Sequence, residues 1–152
     1  MPREPEKDLI MAEPSAAKRP LPVVEFLKIP EQGEPYLEGQ RCKECGAIFL
    51  GERDSCSKCG ARGRLEPKRL ANRGSLYVYS IVHRSFPGIE VPYISAIVDL
   101  EGGGTVKGNL INVDPVPEKV KMGMPVEVIF KVAPTRDREG NEYLTYYFQP
   151  RR

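Results

Sequence analysis

All four cysteines of the chain fall in two Cys-x2-Cys turns, Cys42-Lys-Glu-Cys45-Gly46 and Cys56-Ser-Lys-Cys59-Gly60, with ten residues between the pairs. No other feature limits the fold as severely. Two such turns facing each other bring four thiolates to the corners of a tetrahedron, the arrangement of a structural metal site. A glycine after each pair permits the left-handed backbone that lets such a turn aim N–H groups at sulfur. Two disulfides are the competing use of the same residues. The start of the chain carries no signal peptide, so a cytoplasmic protein with reduced thiols is expected, and a metal is favoured over disulfides. Zinc is favoured over iron: Lys43, Glu44, Arg53, Asp54, Lys58 and Arg62 form a solvated, charged collar, whereas a redox iron site needs an apolar shell. With four protein thiolates no position is left for water or substrate. Cys42, Cys45, Cys56 and Cys59 are therefore read as ligands of a structural ion that folds a segment too small for its own core.

Fifteen prolines and fourteen glycines in 152 residues argue against long helices and for strands and turns. The net charge of +2, with both signs interspersed, is too balanced for a protein that neutralises a phosphate backbone. No apolar run is long enough to span a membrane. Residues 1–20 mix prolines with both charges and read as a flexible tail. Residues 21–70 read as a helix and zinc-ribbon module. Pro22 opens a short helix that puts Val23, Phe26 and Leu27 on one face, and Pro30 ends it. Residues 33–40 are turn-rich, anchored by Tyr36 and Leu37, and Ala47 to Leu50 is a ribbon strand. The basic stretch from Arg62 to Arg73 is expected to be a solvated connector, with a phosphate ligand as the sharper alternative.

From residue 71 to 152 the sequence is all β. Ser75 to Arg84 is rich in β-branched and aromatic residues on both faces, as in a long strand buried on both sides. Ile94 to Leu100, Thr105 to Val113, Val126 to Val132 and Tyr143 to Gln149 follow as strands. Gly102-Gly103-Gly104 turns a hairpin, and Gly108 suits a bend. The only long connection, with a helical turn expected at Glu118 to Lys121, lies between the third and fourth strands. The class is therefore mainly β: a short N-terminal helix and four-cysteine zinc ribbon, then a five-stranded OB-fold barrel.

An OB-fold reads bases with aromatics and cations on its second and third strands. Ile94 to Asn109 has no aromatic residue and one cation, Lys107, against Asp99 and Glu101. Single-stranded nucleic-acid binding is thus the alternative reading and not the first. Independent catalysis is disfavoured too. No thiol is spare, and the single histidine, His83, sits in a strand that reads as buried, so no catalytic residue is assigned.

Several stretches together carry a resemblance: the Pro22 segment, the two Cys-x2-Cys-Gly turns, Gly74-Ser-Leu-Tyr-Val-Tyr-Ser-Ile-Val-His83-Arg84, Pro92-Tyr93 ahead of Val98-Asp-Leu-Glu101, and Gly123-Met-Pro-Val126-Glu-Val. From about Pro22 to Gln149 the chain resembles the acyl-CoA-associated OB-fold proteins with a rubredoxin-like zinc ribbon. The resemblance implies a non-catalytic companion that forms a hetero-oligomer with a thiolase-like catalytic subunit and is required for that partner's assembly and activity. Within the family the chain is similar to the small subunits of benzoylsuccinyl-CoA thiolases of anaerobic toluene degradation. A coenzyme A thioester is the implied ligand of the complex. The residues expected to face it are Arg84, Phe86 and Tyr93, around the loop after the first barrel strand, and Lys68, Arg69 and Arg73 on the connector. Tyr77, Tyr79, Tyr143 and Tyr147 are candidates for an interface or for core and rim packing.

Overall fold

Apolar side chains that alternate along a strand can close a barrel when each inward row meets the next, and the second half of the chain does this. The computed structural model describes residues 19–151. Its barrel strands are β6 (Arg73–Val82), β7 (Tyr93–Leu100), β8 (Thr105–Leu110), β9 (Pro125–Val132) and β10 (Tyr143–Pro150). β6 pairs with β7 and β7 with β8, β8 meets β10 in parallel at Leu110 and Phe148, β10 runs antiparallel to β9, and β9 returns to β6. That circuit is the closed OB-fold barrel. Ile94, Ala96, Val98 and Leu100 are buried on the inner face of β7, and Phe148 fills the centre. Gly108 bends β8 where the rings of Tyr146 and Phe148 press in, each 2.8 Å from where a Cβ would stand.

The remaining strands are β1 (Leu21–Pro22), β2 (Leu27–Lys28), β3 (Tyr36–Cys42), β4 (Ile48–Leu50) and β5 (Leu65–Arg69). β3 is the spine of the ribbon sheet, pairing antiparallel with β2, β4 and β5. Ribbon and barrel share one core: Leu27, Leu37 and Leu70 belong to the same buried cluster as Leu76 and Phe148. They are also keyed at the β7–β8 hairpin. A Cβ on Gly103 would stand 2.3 Å from Ile48 Cδ1, and one on Gly104 would stand 3.2 Å from Leu70.

Several expectations are corrected here. No helix forms after Pro22: Leu21 and Pro22 pair in parallel with Tyr143 and Leu144, while Leu27 and Lys28 pair with Leu37 and Tyr36. A single turn survives, in which the Leu27 N–H donates to the Val24 carbonyl at 3.2 Å. A segment this short closes too few helical bonds to offset nucleation, whereas two neighbouring strands satisfy its backbone at once. Leu27 is buried and Phe26 packs on the core, but Val23 is exposed. Tyr36 to Gln40 is strand, not turn, with Leu37 fully buried. The basic connector contains β5, in which Pro67 is tolerated because the outer edge of the strand has no neighbour to bond among the described residues. β6 is not buried on both faces. Tyr77, Val78 and Ser80 are exposed, and so is His83 beyond its end, because no second layer among the described residues covers the outer face. At 118–121 there is no helical turn; the Lys119 N–H bonds the Val116 carbonyl at 3.0 Å, beside the buried Val120. The expected tail falls largely outside the described residues.

Candidate metal centre

The two cysteine turns repeat one backbone pattern. Cys42 N–H donates to the Ala47 carbonyl and Gly46 N–H to the Cys42 carbonyl, both at 2.8 Å; Cys56 to Ala61 and Gly60 to Cys56 repeat this at 2.9 and 2.8 Å. Both closing glycines are left-handed, with φ of 81° at Gly46 and 80° at Gly60, so the turn chemistry expected from sequence is present. The four sulfurs lie within 4.8 Å of one another. Cys42 and Cys59 sulfurs are 3.7 Å apart and those of Cys45 and Cys56 3.5 Å, against about 3.8 Å for the edge of a zinc–thiolate tetrahedron. A disulfide would need about 2.05 Å.

The electrostatics point the same way. The Cys59 backbone N–H, seconded by that of Lys58, pulls the Cys56 thiol down to about 6 despite its burial. The Cys45 and Glu44 N–H groups likewise lower Cys42. At Cys59 the Ala61 N–H favours the thiolate, but desolvation and the three neighbouring sulfurs push its thiol up to about 12. Four sulfurs this close cannot all carry charge unless a cation sits among them, so the donor set fits a tetrahedral Zn2+ with no open position. The collar is partly tied down: Arg53 lies 4.2 Å over the Phe49 ring and Arg64 pairs with Glu44 at 3.3 Å.

The six residues expected to face acyl-CoA fall into two separate groups. Arg73 opens β6 and Arg84 lies two residues past its end, so the length of the strand, about 30 Å at its usual rise per residue, stands between them. At the first end Arg69 lies 4.4 Å over the Tyr36 ring, and Arg73 pairs with Glu101 at 3.4 Å, a carboxylate shared with Arg151. Lys68 sits in β5 opposite Gly39. At the other end Tyr93 is half-buried, whereas Phe86 is 80% exposed, with Ile89 and Val91 exposed beside it. Sequence reasoning did not single out Met122, which is 69% exposed. Of the tyrosines, Tyr77 is 63% exposed, Tyr79 packs against the core, and the Tyr143 hydroxyl donates to Asp137 at 3.0 Å. Among the described residues no helix is long and apolar enough to cross a membrane.

Fold and centre together define a four-cysteine zinc ribbon fused to an OB-fold barrel. Residues 33–66 match the family model of the ChsH2 rubredoxin-like zinc ribbon domain, and residues 68–131 match that of the ChsH2 C-terminal OB-fold domain. The chain is 36% identical, over 75% of its length and 81% of the relative's, to a DUF35 domain-containing scaffold protein of Methanocaldococcus jannaschii. It is 29% identical, over 82% of its own length and 84% of the other, to the benzoylsuccinyl-CoA thiolase subunit BbsA of Thauera aromatica. Among solved structures, a chain of the Ltp2-ChsH2(DUF35) aldolase superposes with a TM-score of 0.60 at 28% identity, over 76% of this chain and 84% of that one. The chain belongs to the ChsH2-type DUF35 family of zinc-ribbon and OB-fold proteins.

Proposed function

We propose that this chain is a non-catalytic companion subunit of a thiolase-type acyl-CoA enzyme, acting in the cytoplasm. Its zinc-held ribbon module, residues 21–70, supports assembly, and its OB-fold domain, residues 71–152, lines the acyl-CoA entry. Relatives named as a thiolase subunit and as part of an aldolase support a catalytic partner. One observation carries the reading: Phe86 is 80% exposed, with Ile89 and Val91 exposed beside it, on the loop between β6 and β7. Exposed apolar residues clustered in this way mark a surface that a partner protein or a ligand covers. Coenzyme A contact is assigned to the Arg84 end of β6, because Arg73 is already paired and Arg69 is stacked at the other. The finer assignment, to a benzoylsuccinyl-CoA thiolase of anaerobic toluene degradation, rests on the likeness to BbsA.

The test is purification of the tagged full chain from its native host. A thiolase-type subunit in fixed ratio, with CoA-dependent activity in the complex, is expected. Recovery of nucleic acid without an acyl-CoA enzyme overturns the proposal. In the complex, Arg84→Ala should raise KM for the acyl-CoA several-fold while Arg73→Ala leaves it unchanged; the reverse pattern would move the nucleotide to the ribbon side.

A further inference from the structure

β6 is bonded along both edges only at its start. It pairs with β9 over Arg73 to Ser75, and Leu76 then exchanges backbone hydrogen bonds with the Met122–Met124 turn, donating to Met124 and accepting from Gly123 at 2.9 and 2.6 Å. Beyond Leu76 only the β7 side is occupied. The register slips by one residue between Leu76 and Val78, and pairing resumes with Val78 opposite Ile97, Ser80 opposite Ser95 and Val82 opposite Tyr93. Leu76 turns its backbone away from β7, so antiparallel alternation across the bulge makes Val78, Ser80 and Val82 the residues bonded to β7. Tyr79 and Ile81 therefore present their N–H and C=O groups outward, and no backbone partner meets them among the described residues.

Open edges are ordinarily blunted, and others in this fold are. The outer edge of β5 carries Pro67 and Lys68, β4 is three residues long, and the stretch of β9 beyond Val128 carries Lys131. The β6 edge, Tyr-Val-Tyr-Ser-Ile-Val over residues 77–82, has neither charge nor proline, and exposed apolar residues bracket it, Met122 at one end and Phe86 at the other.

We propose that the outer edge of β6 over residues 77–82 receives an extended segment of the catalytic partner, which adds a strand to the barrel by bonding the outward groups of Tyr79 and Ile81. The edge itself specifies an extended polypeptide, since only another strand offers donors and acceptors at that repeat. A second copy of this chain fits less well. Two-fold antiparallel pairing that sets Tyr79 of each copy opposite Ile81 of the other would place Arg84 opposite Leu76, where the Met122–Met124 turn already stands. A segment from a different protein can begin its pairing at Tyr79, past the turn bonded to Leu76, and leave beyond Val82 without that collision. The identity of the occupant rests on the companion role proposed above; the edge does not.

Residue-resolved amide exchange on the isolated full chain and on the complex from the native host tests this. In the isolated chain Tyr79 and Ile81 should exchange freely while Val78 and Ser80 are protected. In the complex, exchange at Tyr79 and Ile81 should slow by about a hundredfold or more. Ile81→Pro, which removes one outward donor and leaves the β7 bonds in place, should weaken association at least tenfold; Ile81→Val should not. Protection of Tyr79 and Ile81 in the isolated monomer, or its appearance only with concentration-dependent dimers, overturns the proposal in favour of the chain's own residues or a second copy. Free exchange at both amides in a complex that contains an acyl-CoA enzyme, or recovery of the chain alone, also overturns it. If the edge is protected by a partner that is not an acyl-CoA enzyme, the edge assignment stands and the companion role falls.

Discussion

Gly103→Ala puts one methyl group at the joint between ribbon and barrel. Two costs are separable there. Gly103 has φ of +118°, a conformation closed to L side chains, and holding alanine in such a region costs about 1–3 kcal/mol. The new Cβ would also stand 2.3 Å from Ile48 Cδ1, far inside van der Waals contact. That atom ends a flexible side chain, so relief by an off-rotamer shift costs about 0.5–1.5 kcal/mol. Together the substitution should destabilise the zinc-loaded chain by about 1.5–4.5 kcal/mol. Urea unfolding of wild type, Gly103→Ala, Ile48→Ala and the double variant isolates the contact. With Ile48 truncated, Gly103→Ala should cost about 1 kcal/mol less, because the clash is gone and only the backbone strain remains. Equal cost in both backgrounds would show that Ile48 does not key the ribbon to the hairpin. A cost below about 0.5 kcal/mol in both would refute the left-handed backbone as well.

Zinc analysis of the purified chain should find one ion per chain, lost in Cys42→Ser or Cys59→Ser. Since Leu27, Leu37 and Leu70 share the barrel's core, chelation should lower the barrel's own melting temperature by more than about 10 °C; an unshifted melt would mean that the modules are independent. Asp137 organises the β9–β10 loop: its carboxylate accepts from the Asn141 side chain, from the Asn141 and Glu139 N–H groups and from Tyr143, which holds its carboxyl below the ordinary 3.8. A depressed folded value stabilises above 3.8 and is lost as pH falls through the lowered value, so the deficit of Asp137→Asn, read from urea unfolding, should be full at neutral pH and shrink in acid. A deficit that does not change with pH would remove the carboxylate from the loop's stability.

The cysteine cluster was legible because two Cys-x2-Cys-Gly turns ten residues apart have the spacing of a zinc ribbon, and the structure brings the four sulfurs together. The five barrel strands were legible because Ile94, Ala96, Val98 and Leu100 alternate without interruption, as do the inward residues of β9. What escaped depends on partners distant in sequence. β5 reads as a charged linker because Glu66, Lys68 and Arg69 flank a proline, and only the backbone of β3, roughly 25 residues earlier, makes it a strand. The segment after Pro22 satisfies the local rule for a helix start, yet its hydrogen bonds go to Tyr36, Leu37 and the far end of the chain. The acyl-CoA candidates were grouped by residue type and nearness in sequence, and β6, as a rigid spacer, separates them. The outer face of β6 was read as covered because its residues are apolar; composition does not reveal what lies beside a strand.

The central claim is that this chain lends surface to chemistry performed elsewhere, and add-back of the purified chain to the separated thiolase-type subunit proposed as its partner tests it most directly. The account predicts no thioester turnover by the chain alone, little by the partner alone, and recovery of activity that saturates at a fixed ratio of the two. Turnover by the isolated chain, or a partner equally active without it, would contradict the account.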